Sequence, residues 1–295
     1  MNAKSPAARV GRRVLLVWSG LVGVLTYVRA LVGDPVDAFT YWTFRIGPDL
    51  YAVPVNHRGA HEYAPVFAHV LAPFTALPWE AFFVLWTGWH LALLLVIVGP
   101  RWFGLVLMLP ITQWAITNGN IHLELAAVAA FGLRYPAVWA VALLTKITPG
   151  VGLLWFALRR EWRNLTVALG VTVALVLASM ILAPGAWLDW FGYLWANREP
   201  RPLAGYLDVP LWLRLGLAVA LVTWGALRDK PWVIPAVVWV AQPYAWWPAL
   251  VILLAWLPRL TVAYELRTRA RERSEPDRGD FRGNVVGVVE HVARA

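Results

Sequence analysis

Ten apolar runs bounded by glycine, proline or charge divide the chain between Val14 and Leu257, and several are too short to cross a bilayer alone. They are Val14–Val32, Glu80–Val98, Trp102–Thr117, Ile121–Leu133, Pro136–Thr145, Ile147–Leu158, Leu165–Ala183, Pro210–Leu227, Pro231–Ala241 and Tyr244–Leu257. A helix rises about 1.5 Å per residue against a hydrocarbon core of about 30 Å, so the shortest runs reach only part of the way. Such pieces must tilt, break or stack end to end. The bilayer tolerates that only where the freed backbone is buried in protein or lines a cavity. The pattern predicts an all-α, polytopic integral membrane protein of about ten transmembrane helices, several short or broken, around an internal polar site.

Composition agrees. The chain is 60% hydrophobic and 15% charged, where a soluble domain carries about 25% charged residues. It has no cysteine, which excludes a disulfide, a thiolate metal site and a cysteine nucleophile. A net charge of +9 would suggest nucleic acid, but the basic residues fall mostly on one side of the expected membrane. Nineteen lie on the side of the termini and five on the other. That asymmetry is a topology signal, so no nucleic-acid partner is expected and both termini are placed in the cytoplasm.

This orientation yields a cytoplasmic segment 1–13, a membrane domain 14–258 with an external loop at 33–79, and a basic, disordered cytoplasmic tail at 259–295. Arg9, Arg12 and Arg13 precede the first run as in a signal peptide. That run is too long for a cleaved leader and reads as the first span. Proline-punctuated apolar stretches in the external loop read as helices lying in the interface. Most of the 20 tryptophans sit near span ends, where interfacial anchoring accounts for them.

The polar residues that could carry chemistry converge on the external face. Lys146 is the only lysine between Lys4 and Lys230 and lies at a break between two short apolar runs. A cation so placed is costly and is by default a functional-site hypothesis, with a lipid phosphate the leading partner and snorkelling to the headgroups the plainer reading. Asp37, Tyr41 and Arg45 are spaced to share one helical face. A carboxylate there suits a general base for a hydroxyl, or simply an acid at a solvated helix start. Asn120 and Glu124 are also four apart, with Glu124 about one turn into a span, and either could serve a site or a buried hydrogen bond. His122 reads as structural. His57, Arg58, His61 and Glu62 resemble a metal cluster, but a polar interfacial loop explains them as well, and no metal is expected. No nucleotide-binding or nucleophile-elbow motif appears.

In order along the chain these motifs resemble glycosyltransferase family 87, the polyprenol-phosphate-sugar-dependent transferases of the C-type superfamily, best known as bacterial mannosyltransferases. The family's Asp-Phe-x-x-Tyr-Tyr is matched by Asp37-Ala38-Phe39-Thr40-Tyr41-Trp42, with the Phe displaced by one and Trp in the last place. Gly47 to Tyr51 matches Gly-x-x-Leu-Tyr, and Tyr63-Ala64-Pro65 with Pro73 to Pro78 matches the two proline motifs that follow. Gly119-Asn120-Ile121-His122 stands where the family has Gly-Gln-x-Asn. Lys146-Ile147-Thr148-Pro149 with Arg159-Arg160-Glu161-Trp162-Arg163 matches its Lys-x-Thr-Pro and basic loop. The family's late Ser-Pro-x-Ser-Trp-acid/amide-His element appears as Gln242 to Pro248, keeping Pro and Trp but lacking the His.

The resemblance implies a C-type glycosyltransferase fold in a bacterial plasma membrane, with the active site on the external face and no cofactor. The donor would be a hexose, mannose first, on polyprenyl phosphate, and the acceptor a glycolipid or glycan hydroxyl attacked with inversion. Asp37 would be the base, Lys146 and Arg45 would bind the donor phosphate, and Tyr41, Tyr51, Tyr63, Asn120 and Glu124 would line the sugar and acceptor cleft. The rival readings are a non-catalytic translocator of lipid phosphates or glycolipids and a scaffold subunit in envelope assembly.

Overall fold

The computed structural model describes residues 6–55, 57–198, 209–244 and 246–258. The expected tail at 259–295 lies outside the described residues, as do residues 199–208. Among the described residues the fold is helical throughout, without a strand.

Among the described residues, three helices are long and apolar enough to cross a membrane. The first is the Arg13–Leu31 portion of α1 (Pro6–Leu31); the others are α4 (Trp79–Val98) and α10 (Trp162–Leu182). Each is an unbroken apolar stretch of 19 to 21 residues, close to what a bilayer core requires. The membrane-type helical protein is therefore seen, but the ten full crossings are not.

The reason is local. The run Trp102–Thr117 is split at Pro110 into α5 (Pro100–Leu107) and α6 (Pro110–Asn118), because proline lacks the N–H that would continue the ladder. Pro136, Pro149 and Pro231 each open a 3-10 segment, ahead of α8 (Trp139–Thr145), α9 (Leu154–Leu158) and α13 (Ile234–Val240). The last run, Trp247–Trp256, is 3-10 helix with Pro248 in its first turn. Between these lie α7 (His122–Phe131) and α12 (Leu211–Leu227).

These short helices hold together through one continuous apolar core contributed by α7, α8, α9, α12, α13 and the terminal 3-10 helix. Trp139 is fully buried within it and donates its indole N–H to the Gly132 carbonyl at 3.1 Å. Its ring lies against Gly152, where a Cβ would come within 2.2 Å of the indole, so only glycine fits. Truncation of Trp139 to Ala is expected to cost about 3–5 kcal/mol.

A second core is aromatic and belongs to the segment between α1 and α4, where α2 (Val36–Trp42) and α3 (Pro65–Thr75) pack on α4. Tyr41 sits at its centre, ringed edge-on by Tyr63, Phe67 and Trp86 at 5.3 to 5.8 Å. Edge-to-face packing of this kind adds about 0.5–1.5 kcal/mol per pair beyond area burial. This core fixes α2, and α2 carries Asp37. Beyond α10, α11 (Pro184–Ala196) packs its Trp187 and Trp190 against Ala64 and Val66 at the start of α3.

Candidate active site

α2 is only seven residues long, and Asp37 lies in its first turn, where the helix dipole favours a carboxylate. Across from it, Gly119 ends α6 in a left-handed conformation, φ 73°. A Cβ there would come within 2.6 Å of the Ala38 methyl, so the Asn118-Gly119-Asn120 turn rests directly on α2. Trp86 of α4 donates its indole N–H to the Gly119 carbonyl at 2.9 Å and holds the turn from behind.

This turn delivers both of its amides to one atom. The side-chain NH2 groups of Asn118 and Asn120 each donate to Asp37 Oδ2, the latter at 2.7 Å. The Asp37 backbone N–H donates in return to Asn118 Oδ1 at 3.4 Å, and Asn120 Oδ1 accepts from the His122 backbone N–H at 3.1 Å. Both amides are thus fixed in orientation by their carbonyl ends.

Lys146 follows α8 and is kept out of any helix by the residue after it. Ile147 has φ 52° and ψ −62°, and the Thr148 N–H donates to the Lys146 carbonyl at 2.6 Å, which together make a tight γ-type turn. A β-branched residue in that conformation is strained by about 1–3 kcal/mol. The turn leaves the Lys146 ammonium 5.3 Å from the centre of the Tyr63 ring. The Tyr63 hydroxyl shares a hydrogen bond of 3.0 Å with that of Tyr41.

Asp37, Tyr41, Tyr63, Asn120 and Lys146 all line one cavity of about 190 Å³. The wall is completed by His57, Arg58 and Glu62 from the α2–α3 loop, His122 from α7, and Tyr244 and Trp246 ahead of the terminal 3-10 helix. Burial pushes the Asp37 carboxyl above the usual range; the Asn120 hydrogen bond and the Lys146 charge pull it back, and the Glu62 charge adds to the rise. Burial likewise holds Tyr63 as a neutral phenol.

The other expected site residues lie elsewhere. α2 stops at Trp42, so Arg45 is past the helix end and off the face of Asp37. Its guanidinium donates to the carbonyls of Trp42, Phe44 and Thr75 at 2.5 to 2.8 Å and clips the end of α2 to the end of α3. Glu124 does not share a direction with Asn120, because α7 begins only at His122. It turns toward α4, where Oε1 accepts from the Trp89 indole at 2.9 Å and lies 3.2 Å from His90 Nε2. Tyr51 donates to the Tyr63 carbonyl at 2.9 Å and supports that residue from outside the cavity wall.

Of His57, Arg58, His61 and Glu62, only His61 is absent from the cavity wall. Arg58 pairs with Asp34 at 2.8 Å and stacks on Phe39. His61 is fully buried against Phe44, with its ring centres 4.0 Å apart, and burial pushes its imidazole down to about 3.

The sequence reading left unassigned Asn118, which touches Asp37, and the cavity-wall residues Tyr244 and Trp246. Asn118 had a signal: an asparagine on each side of a left-handed glycine points two amides the same way. Tyr244 and Trp246 sit in the motif that retains Pro and Trp.

A helical membrane protein with a small polar cavity, built from loops and broken helices and holding a carboxylate and an ammonium, defines the class. The profile of glycosyltransferase family 87 matches residues 61–273. The chain belongs to that family, and it is a membrane glycosyltransferase. No curated protein and no solved structure matches it. The matched stretch includes Glu62, Tyr63, Asn118, Asn120 and Lys146, while Asp37 lies ahead of it.

Proposed function

We propose that this enzyme transfers a hexose, mannose first, from polyprenyl phosphate to a hydroxyl of an extracytoplasmic glycolipid or glycan, inverting the anomeric carbon. The acceptor oxygen attacks that carbon as the bond to the donor phosphate breaks. The hydroxyl proton passes to Asp37, and polyprenyl phosphate departs beside Lys146. A fixed cation in a water-poor site favours the charge that develops on the leaving oxygen. A phosphodiester donor carries a single negative charge, so one ammonium is a matching partner and no metal or cofactor enters the reaction. The tyrosines and Trp246 supply apolar faces for a sugar ring.

The supporting observation is that the Asp37 carboxylate and the Lys146 ammonium line the same cavity. The basic asymmetry of nineteen to five supports a cavity outside the cytoplasm, where nucleotide sugars are absent and a lipid-linked donor is required. The test is transfer of labelled mannose from its polyprenyl phosphate, in proteoliposomes, to extracted envelope lipids. Label should reach a lipid fraction. Binding of that donor without any transfer would overturn the reading in favour of a translocator.

A further inference from the structure

The Asp37 carboxylate is held asymmetrically. Oδ2 takes both amide donors, while among the described residues no donor reaches Oδ1. The holding turn is itself built to purpose: Gly119 adopts a conformation that disfavours side chains, packs on Ala38 without room for a Cβ, and is tied to α4 through Trp86. The Asp37 backbone N–H bonded to Asn118 Oδ1 prevents the Asn118 amide from flipping its acceptor onto the carboxylate.

We propose that Asn118 and Asn120 are positioning residues for Asp37, locking Oδ2 so that Oδ1 alone meets the acceptor hydroxyl. This rests on Asp37 being the base. Two amide donors on one oxygen perform two tasks. They fix the carboxylate plane against rotation, and they favour the ionised form in a partly buried site that otherwise disfavours it. The proton taken from the acceptor then goes to Oδ1, because an amide hydrogen bond must be broken before Oδ2 can accept it.

The other charged and titratable groups facing Asp37 set the background. Lys146 at the end of α8 favours the carboxylate, and Glu62 opposes it. His57, Arg58 and His122 share the cavity wall, with Tyr41 on the same helix and Tyr63 and Tyr244 beyond. Among the described residues none of these donates a hydrogen bond to Asp37, so the amides are the groups whose removal isolates the effect.

The experiment is the pH dependence of kcat/KM for labelled sugar transfer by full-length protein in proteoliposomes. Asn118→Ala and Asn120→Ala should each move the acidic limb up by about one pH unit, with transfer largely recovered above it. Asn120→Asp keeps the size of the side chain but replaces the donor by a second carboxylate, and should move the limb further. A role in folding alone would lower transfer equally at every pH. Unmoved limbs in Asn118→Ala and Asn120→Ala overturn the proposal, whether transfer falls or holds. Asp37→Asn separates the two claims. If it is inactive while the limbs stay fixed, only the positioning role fails. If it transfers nearly as well as the parent, the base assignment fails first.

Discussion

Asp37 and Glu124 are the two acids placed closest to the Asn118-Gly119-Asn120 turn, one by space and one by sequence, and they end in opposite situations. Asp37 sits on a seven-residue helix between α1 and α4, takes both amides on one oxygen and opens onto the cavity. Glu124 belongs to α7 and is held on the α4 side by Trp89 and His90, away from the cavity wall. Glu124 too is held at one oxygen, but among the described residues its buried Oε2 has no hydrogen-bond partner and does not face the cavity. A carboxylate locked on one side and open on the other is equipped to accept a proton. The residue type is nearly the same and each is held at one oxygen; access to the cavity makes the difference.

The comparison is broken most easily by paired substitutions. Asp37→Asn should reduce turnover by about 10²–10⁴-fold, as for loss of a general base. Glu124→Gln still accepts from Trp89, and a change of about 1 kcal/mol bounds its effect near fivefold. Equal losses in steady-state transfer would erase the distinction.

Next in size is Lys146→Met. It should raise KM for a phosphate-bearing donor by about 10–100-fold, the worth of a hydrogen bond to a charged group. Binding of a polyprenol lacking phosphate should be unaffected. Lys146→Arg is not expected to restore donor binding, since the larger planar group does not fit a pocket shaped for a compact ammonium. Equal binding of both lipids by the Met variant would reduce Lys146 to an anchor.

The parent enzyme's pH profile supplies a smaller but cleaner effect. A base must be ionised to act, and burial raises Asp37 from its ordinary value. Activity should therefore be lost, as pH falls, at a value above the ordinary aspartate range near 3.9. In Asp37→Asn that limb should vanish from the residual rate. A limb at or below the ordinary range would mean that the carboxylate is solvated.

The smallest effect on chemistry is expected at Arg45. Its three carbonyl contacts give Arg45→Gln a stability cost of about 1–3 kcal/mol, visible as a lower thermal midpoint, with donor KM unchanged. A raised KM at unchanged stability would return it to the phosphate site.

The legible parts of the fold were those with contiguous signals. Three unbroken apolar stretches became α1, α4 and α10 because nothing within them frees a backbone group to demand a partner. The expected crossings built around Pro110, Pro149 and Pro231 came apart into short and 3-10 pieces, because hydropathy counts length while proline decides continuity. Within the site, Asp37 and Tyr41 stay inside α2 and reach the same cavity, as four-residue spacing requires. The same rule misled for Arg45, which lies beyond the end of α2, and for Asn120, which precedes the start of α7. The bond from Asn118 to Asp37 joins residues 81 apart, and no local period carries that information.

The most direct test is to load Asp37→Asn with labelled polyprenyl-phosphate mannose and measure, on one preparation, both bound donor and single-turnover transfer. Assignment of proton removal to Asp37 and phosphate binding to Lys146 predicts donor bound as by the parent protein, with transfer slowed by about 10²-fold or more. Transfer at nearly the parent rate from an equally loaded enzyme would contradict it.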